Sequence, residues 1–334
     1  MLTLDAAVSG ARPGKETPRR RKHTDSSPGR AMQRQGHATT GGRERGVMAE
    51  KIPPQKQARQ PGVEGEMTPP AQFIHPDYKG AGKLSERAAL ITGGDSGIGR
   101  SVALHFAREG ADVVIMYLDE HEDARETQRL VEAEGRRAIL LEGDVADADF
   151  CRRSVEKAVA ELGRLDVLVN NAAMQVLHER PEETSDKEWR RTFDVNIHGY
   201  FYMAKAALPH LRESRGTIIN TTSVNAYAGH SHLLAYTTTK GAITGFTRAL
   251  SQMCAGDGVR VNQVAPGPVW TPLIPSTMGA FDEEMSEDFG AGSPMGRAGQ
   301  PSELGPAYVY LASRDGAYVS GQTIHVNGGM VVNG

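Results

Sequence analysis

Two features of this chain combine residue types and spacings that could do chemistry. The stretch "YTTTK" puts Tyr236 and Lys240 four residues apart, which on a helix places a phenol and an ammonium on one face. The stretch "ITGGDSGIGR", residues 91–100, packs four glycines into seven positions directly after the apolar run "RAALI". Glycines between a strand and a helix let the backbone approach a pyrophosphate closely, and the free N–H groups opening the helix face its charge. Ser223 stands thirteen residues before Tyr236, at the end of "GTIINTTS", and Asn196 closes "TFDVN". Plainer readings compete at each place: a surface Tyr–Lys pair, a strand-end serine bonded to its own backbone, and glycines serving tight turns alone.

The elements that must position these groups are legible in the texture of the chain. From Leu84 onward, short β-type runs alternate with helical stretches. The strand candidates are "AALIT", "DVVIMY", "AILLEGD", "LDVLVNN", "GTIINTTS", "VRVNQVAPG" and "QTIHVNGG". Helical stretches fall at 98–109, 121–134, 147–162 and 234–255. Continuously apolar strands separated by helices predict a sheet covered on both faces. The expected fold class is therefore α/β: a single doubly wound Rossmann-type domain with a seven-stranded, mainly parallel sheet. In such a sheet the first strand-to-helix turn and the carboxyl ends of the strands meet the ligand, which would bring the glycine loop and Ser223 to one crevice.

Other chemistries are disfavoured by the same residues. "GDSGIGRS", 94–101, approaches the phosphate loop of a nucleoside triphosphatase, but Arg100 stands where that loop needs a compact lysine ammonium. His230 and His232 lie two apart with no carboxylate or cysteine at ligand spacing, so no metal site is expected. Two cysteines, Cys151 and Cys254, exclude a disulfide framework and fit a reducing cytoplasm. The apolar runs are too short to span a bilayer, so no membrane partner is expected.

Charge divides the chain. Residues 1–47 carry ten Lys/Arg against four Asp/Glu, a balance of +6, while the whole chain stands at −3. With almost no large apolar residues, that basic segment is expected to be disordered or untranslated, Met48 in "GVMAEKIPPQKQ" being the expected start. A nucleic-acid or transit arm is the competing reading; no nucleic-acid partner is expected. Residues 48–83, rich in Pro, Gln and Gly, read as an extended arm, and 84–334 as the folded domain.

Over residues 84–330 the chain resembles the classical short-chain dehydrogenase/reductase family. "TGGDSGIG" is similar to its cofactor loop, "NNAA" (170–173) to its fourth-strand motif, "VN" ending at Asn196 to its helix asparagine, "S…YTTTK" to its catalytic set and "PGPVWT" (266–271) to its nicotinamide-side loop. "QPGVEGEMTPP" and "APGPVWTPLIPSTM" resemble a bacterial subgroup of stress-associated, uncharacterised oxidoreductases.

The resemblance implies hydride transfer between a nicotinamide cofactor and an alcohol or carbonyl substrate. Tyr236 would be the general acid/base, its high phenol pKa brought down by the Lys240 ammonium and by an oxidised nicotinamide. Lys240 would also bind the nicotinamide ribose, Ser223 would hold the substrate oxygen, and Asn196 would support a water leading from Lys240 to solvent. Cofactor contacts are implied for Gly93, Asp95, Ser96, Gly97, Ile98, Gly99, Tyr117, Asp119, Asp144, Val145, Asn171, Pro266, Gly267, Val269 and Thr271, besides Tyr236 and Lys240. Asp144 would lie at the adenine. A homotetramer is implied, with helices around 187–212 and 234–255 and the last strand at its interfaces. The alternative on the same fold is a catalytically idle dinucleotide sensor.

The family separates NAD from NADP by a carboxylate or an arginine at the end of the second strand. Here those positions hold Tyr117 and Leu118, followed by Asp119 and Glu120, and position 96 is serine. Acidity nearby should repel a 2′-phosphate, so NAD is expected ahead of NADP. The segment 270–300 is placed to be a lid over the nicotinamide.

Overall fold

Strand β1 (Ala88–Thr92) is buried at every position, as a central strand covered on both faces must be. The computed structural model describes residues 52–332. The expectations for residues 1–47 and for the start at Met48 lie outside those residues. Six further strands follow: β2 (Asp112–Tyr117), β3 (Ala138–Glu142), β4 (Val167–Asn170), β5 (Thr217–Thr221), β6 (Arg260–Pro266) and β7 (Thr323–Val326). They form one sheet in the order β3-β2-β1-β4-β5-β6-β7. All six pairings are parallel, so the mainly parallel sheet of the sequence reading is wholly parallel.

The α-helices are α1 (Gly97–Arg108), α2 (His121–Ala133), α3 (Ala148–Leu162), α4 (Asp186–Phe193), α5 (Gly199–Ser214), α6 (Asn225–Ala228), α7 (Leu234–Cys254), α8 (Gly279–Phe281) and α9 (Gly305–Ala312) among the described residues. The period-two geometry of the strands sorts their side chains into two cores. Ala89, Ile91, Val113 and Ile115 pack with Phe106 of α1, Val131 of α2 and Tyr308 of α9. Leu90, Val114, Met116 and Leu168 pack with Val155 of α3, Met203 of α5 and Leu250 of α7. Local signals set the helix ends. The Asp147 carboxylate accepts from the Asp149 and Phe150 N–H groups at 2.9 and 3.2 Å, and Gly163 closes α3 in the left-handed region.

The chain order reverses between β1 and β4, opening a crevice at the carboxyl ends of the strands. Residues 52–83 do not run away from the domain as an extended arm would. Ile52 and Met67 are buried in a third apolar cluster with Leu233, Tyr236, Trp270, Ile274 and Met278. Trp270 Nε1 donates to Pro69 O at 2.8 Å, so the arm helps to enclose a side chain that is fully buried. Among the described residues no helix is long and apolar enough to cross a membrane.

Candidate active site

The crevice begins at the turn after β1. Gly93 has φ +60°, and a Cβ there would stand 3.1 Å from Ala172 Cα. Gly99 meets a harder limit: its Cβ would lie 1.8 Å from Gly93 O. Gly93 therefore shapes the loop and Gly99 lets α1 close against it, so that Gly97 and Ile98 at the start of α1 line the cleft. Asn171 fixes the far side, its Nδ2 donating to Thr92 O at 3.2 Å and Gly93 O at 3.0 Å. The cradle is backbone-lined and opens a helix, which fits a pyrophosphate, and one of its N–H groups, that of Gly97, donates to the Glu64 carboxylate at 2.8 Å.

Helix α7 and the end of β5 bring Ser223, Tyr236 and Lys240 to the wall of the same cleft, a space of roughly 460 Å³. Lys240 is almost wholly enclosed. Its Nζ donates to Thr221 O at 2.8 Å and stands 5.3 Å from the Tyr236 ring centroid. Thr222 Oγ1 donates to Lys240 O at 2.7 Å, locking helix to strand. Asn225 N donates to Ser223 Oγ at 3.1 Å, and α6 starts there.

Asn196 sits in a π-helical turn, Asp194–His198, that joins α4 to α5. Such an insertion turns a side chain out of helical register, and here it points the amide inward. Its Oδ1 accepts from Met174 N at 2.9 Å, while Nδ2 donates to Met174 O at 2.9 Å and Thr239 Oγ1 at 3.0 Å. It is fully buried behind the wall, with its bonds going to Met174 and Thr239.

The electrostatics of the pair differ from the sequence expectation. Burial pushes the Tyr236 phenol up to about 12, a hydrogen bond with Ser223 opposing it, and burial pulls Lys240 down to about 7. Desolvation outweighs the attraction between the two groups while both are enclosed in protein.

Of the residues assigned to a cofactor, Gly93, Asp95, Ser96, Gly97, Ile98, Tyr117, Asp144, Val145, Asn171, Pro266, Gly267, Val269 and Thr271 line the cleft with Tyr236 and Lys240. Gly99 lies behind the loop and Asp119 outside the lining. Asp119 is instead bound to Arg59 of the arm, 3.0 Å from Nη1 through each carboxylate oxygen. The acidity expected to repel a 2′-phosphate is thus partly neutralised. Arg100 is consumed by structure: Nε donates to Asp95 O and Thr127 Oγ1, and Nη2 pairs with Asp123 at 3.3 Å.

Sequence reasoning missed the contribution of the arm. Gln60, Pro61 and Gly62 line the cleft, and Gln60 bonds both ways with the backbone of Gln175, at 2.8 and 3.0 Å. A Cβ on Gly62 would stand 2.4 Å from Pro272 O, and Gln57 N donates to Pro275 O at 2.9 Å, tying the arm to the lid segment. Ile274, Met278 and Phe289 of that segment also line the cleft. Nothing local in "QKQARQPGVEGE" signals these contacts, because every partner lies far away in the chain.

Comparison with known proteins agrees with this geometry. A family model described as enoyl-(acyl carrier protein) reductase matches residues 93–331. General stress protein 39 of Bacillus subtilis is 52% identical over 282 residues, 84% of this chain and 97% of its own length. Glucose and ribitol dehydrogenase of Daucus carota is 51% identical over 290 residues, 85% of this chain and 98% of its own. Among solved structures, a blue fluorescent protein from a metagenomic library, in complex with NADPH, matches with TM-score 0.69 and 32% identity, covering 75% of this chain and all of that one. A short chain dehydrogenase from Mycobacterium paratuberculosis bound to NAD matches with TM-score 0.68 and 30% identity, covering 74% and 98%. Glycine cradle, cleft-wall serine, tyrosine and lysine, parallel sheet and relatives converge, and this chain belongs to the short-chain dehydrogenase/reductase family of NAD(P)-using oxidoreductases.

Proposed function

We propose that the chain transfers hydride between NAD or NADP and a small alcohol or carbonyl compound, with Tyr236 as general acid/base. The observation that carries this reading is the placement of Ser223, Tyr236 and Lys240 on the wall of the cleft that the glycine loop opens. When bound, the nicotinamide supplies or accepts the hydride. Gly93, Ser96, Gly97 and Ile98 would hold the pyrophosphate, Asp144 and Val145 the adenine, and Asn171, Pro266, Gly267, Val269 and Thr271 the nicotinamide half.

Tyr236 gives its proton to the carbonyl oxygen in reduction and takes it back in oxidation. Ser223 orients that oxygen and offsets its charge. With its phenol at about 12, Tyr236 holds its proton at neutral pH, the form from which the reductive direction starts. Lys240 stands beside it as the group that returns the proton, and Asn196 holds the Met174 segment that borders the substrate space.

Gln175, Asn225 and His230 put polar atoms among Leu233, Ile274 and Met278 around that space. Such a wall suits a hydroxylated substrate, and the carrot relative is named for glucose and ribitol. Steady-state assays of polyols, aldoses and simple aldehydes with both dinucleotides test the reading. Activity with none of them would sink it.

We also read the chain as a subunit of a cytoplasmic homotetramer. Phe201 on α5 and Leu234 and Met253 on α7 are large, apolar and exposed, as interface residues are in an isolated subunit. Buried free thiols at Cys151 and Cys254 suit a reducing compartment. Light scattering giving a monomer mass would remove the tetramer.

A further inference from the structure

At the end of β2, Tyr117 and Leu118 offer the adenosine ribose neither a carboxylate nor a cation. A cation arrives from the arm instead. Arg59 Nη1 reaches both oxygens of Asp119 at 3.0 Å and lies 3.0 Å from Glu120 Oε1. Leu118 and Glu120 line the cleft, and so do Gln60, Pro61 and Gly62, which follow Arg59 directly. The Glu120 side chain is 2% exposed, and its Oε1 meets the Arg59 guanidinium as its ion-pair partner. Arg59 keeps half of its side chain open to solvent. Of the other arginines near the cleft, Arg100 is buried against Asp123, and Arg191 is paired with Asp144, which follows β3, at 2.8 Å.

We propose that Arg59, carried by the N-terminal arm, is the residue that decides between the two dinucleotides: it screens the Asp119–Glu120 pair and is the cation a 2′-phosphate meets. The inference rests on the reading of the cleft as a nicotinamide-dinucleotide site. A ribose 2′-hydroxyl needs an acceptor, and Glu120 Oε1, which the Arg59 guanidinium faces at 3.0 Å, is one. A 2′-phosphate needs a cation, and a guanidinium presents a fork suited to it. Without Arg59 the phosphate would face the Asp119 carboxylate and the Glu120 carboxyl with no guanidinium between them, whereas the hydroxyl would keep its acceptor.

The test titrates the full chain and its Arg59→Gln and Arg59→Lys variants with NADH and NADPH, following nicotinamide fluorescence. Arg59→Gln should weaken NADPH by about tenfold or more and NADH by less than about threefold, and Arg59→Lys should retain most of the NADPH affinity. The preserved NADH affinity shows that the variant is folded. Equal losses for both dinucleotides would mean that Arg59 only anchors the arm, and an unchanged NADPH affinity, or a larger loss for NADH, would equally overturn the inference. If the unsubstituted chain bound neither dinucleotide, the reading of the cleft itself would fall and this inference with it.

Discussion

The Glu64 carboxylate accepts a hydrogen bond from the Gly97 N–H at 2.8 Å, an arm residue capping the first helix of the domain from 33 positions away. Ser96, the N-cap residue of α1, makes no side-chain cap bond of its own. Glu64 is also held from behind, its N–H donating to Asp123 Oδ2 at 2.8 Å. A capping acid at a helix start is ordinarily stabilising. This one is almost wholly enclosed, and its Oε1 has no hydrogen-bond partner among the described residues.

Burial raises the Glu64 pKa from 4.5 to about 7, so the folded state holds a proton that the unfolded chain has already released. Between those values the folded state binds more protons, and stability must fall as pH rises through that window. Glu64→Gln keeps an acceptor for Gly97 and removes the titration. At pH 8 it should be more stable than the parent by on the order of 1–3 kcal/mol, the two converging below pH 4.5. Urea unfolding at several pH values checks this; parallel stability curves would show that Glu64 does not titrate there.

Tyr236→Phe removes the only atom of that side chain able to move a proton and leaves the packing of Trp270 and Met278 around the ring. Turnover should drop by about 10²-fold or more while dinucleotide affinity changes little. Single-turnover rates beside cofactor titrations separate the two quantities. Near-parental turnover with a genuine substrate would take Tyr236 out of the mechanism.

Gly99→Ala places a methyl 1.8 Å from the backbone Gly93 O and 2.9 Å from Asn171 Nδ2, a side-chain group held by the Thr92 and Gly93 carbonyls. The loop must move to admit it. We expect a stability loss of about 1–3 kcal/mol together with a clear loss of dinucleotide affinity. Thermal melts with and without dinucleotide measure both, and a variant that binds as tightly as the parent would show the loop to be more pliant than its contacts imply.

Truncations separate the two parts of the N-terminal region. A chain beginning at Met48 should melt within about 2 °C of the full chain, because the preceding residues carry charge but too little apolar surface to offset chain entropy. A chain beginning at Lys79 uncovers Trp270 and removes Gln57, Gln60 and Glu64 from their partners. It should melt more than about 5 °C lower and bind dinucleotide more weakly. Equal melting of the two shortened chains would mean that the arm adds nothing to the folded domain.

Much of the site could be read without a structure because its signals are local. Strand-length apolar runs, glycines at a strand–helix turn and a Tyr–Lys pair at helical spacing each depend on a few neighbouring residues. The parallel order of the sheet then follows, since each crossover helix lies between consecutive strands and the sheet must be covered on both faces. Ser223, Tyr236 and Lys240 reach one wall because β5 ends where α7 crosses it.

Sequence alone thus determined the element order, the doubly wound class and the residue set that the strand ends carry to the crevice. Tertiary structure decided the rest. Whether "QKQARQPGVEGE" is a loose arm or a clasp depends on Gln60 meeting Gln175, Arg59 meeting Asp119 and Glu64 meeting Gly97, contacts across 33 to 115 positions that leave no local pattern. The protonation of Tyr236 and Lys240 depends likewise on enclosure, which charge counting along the chain cannot register. Periodicity and backbone freedom belong to neighbours in sequence, whereas desolvation and long-range pairing belong to neighbours in space.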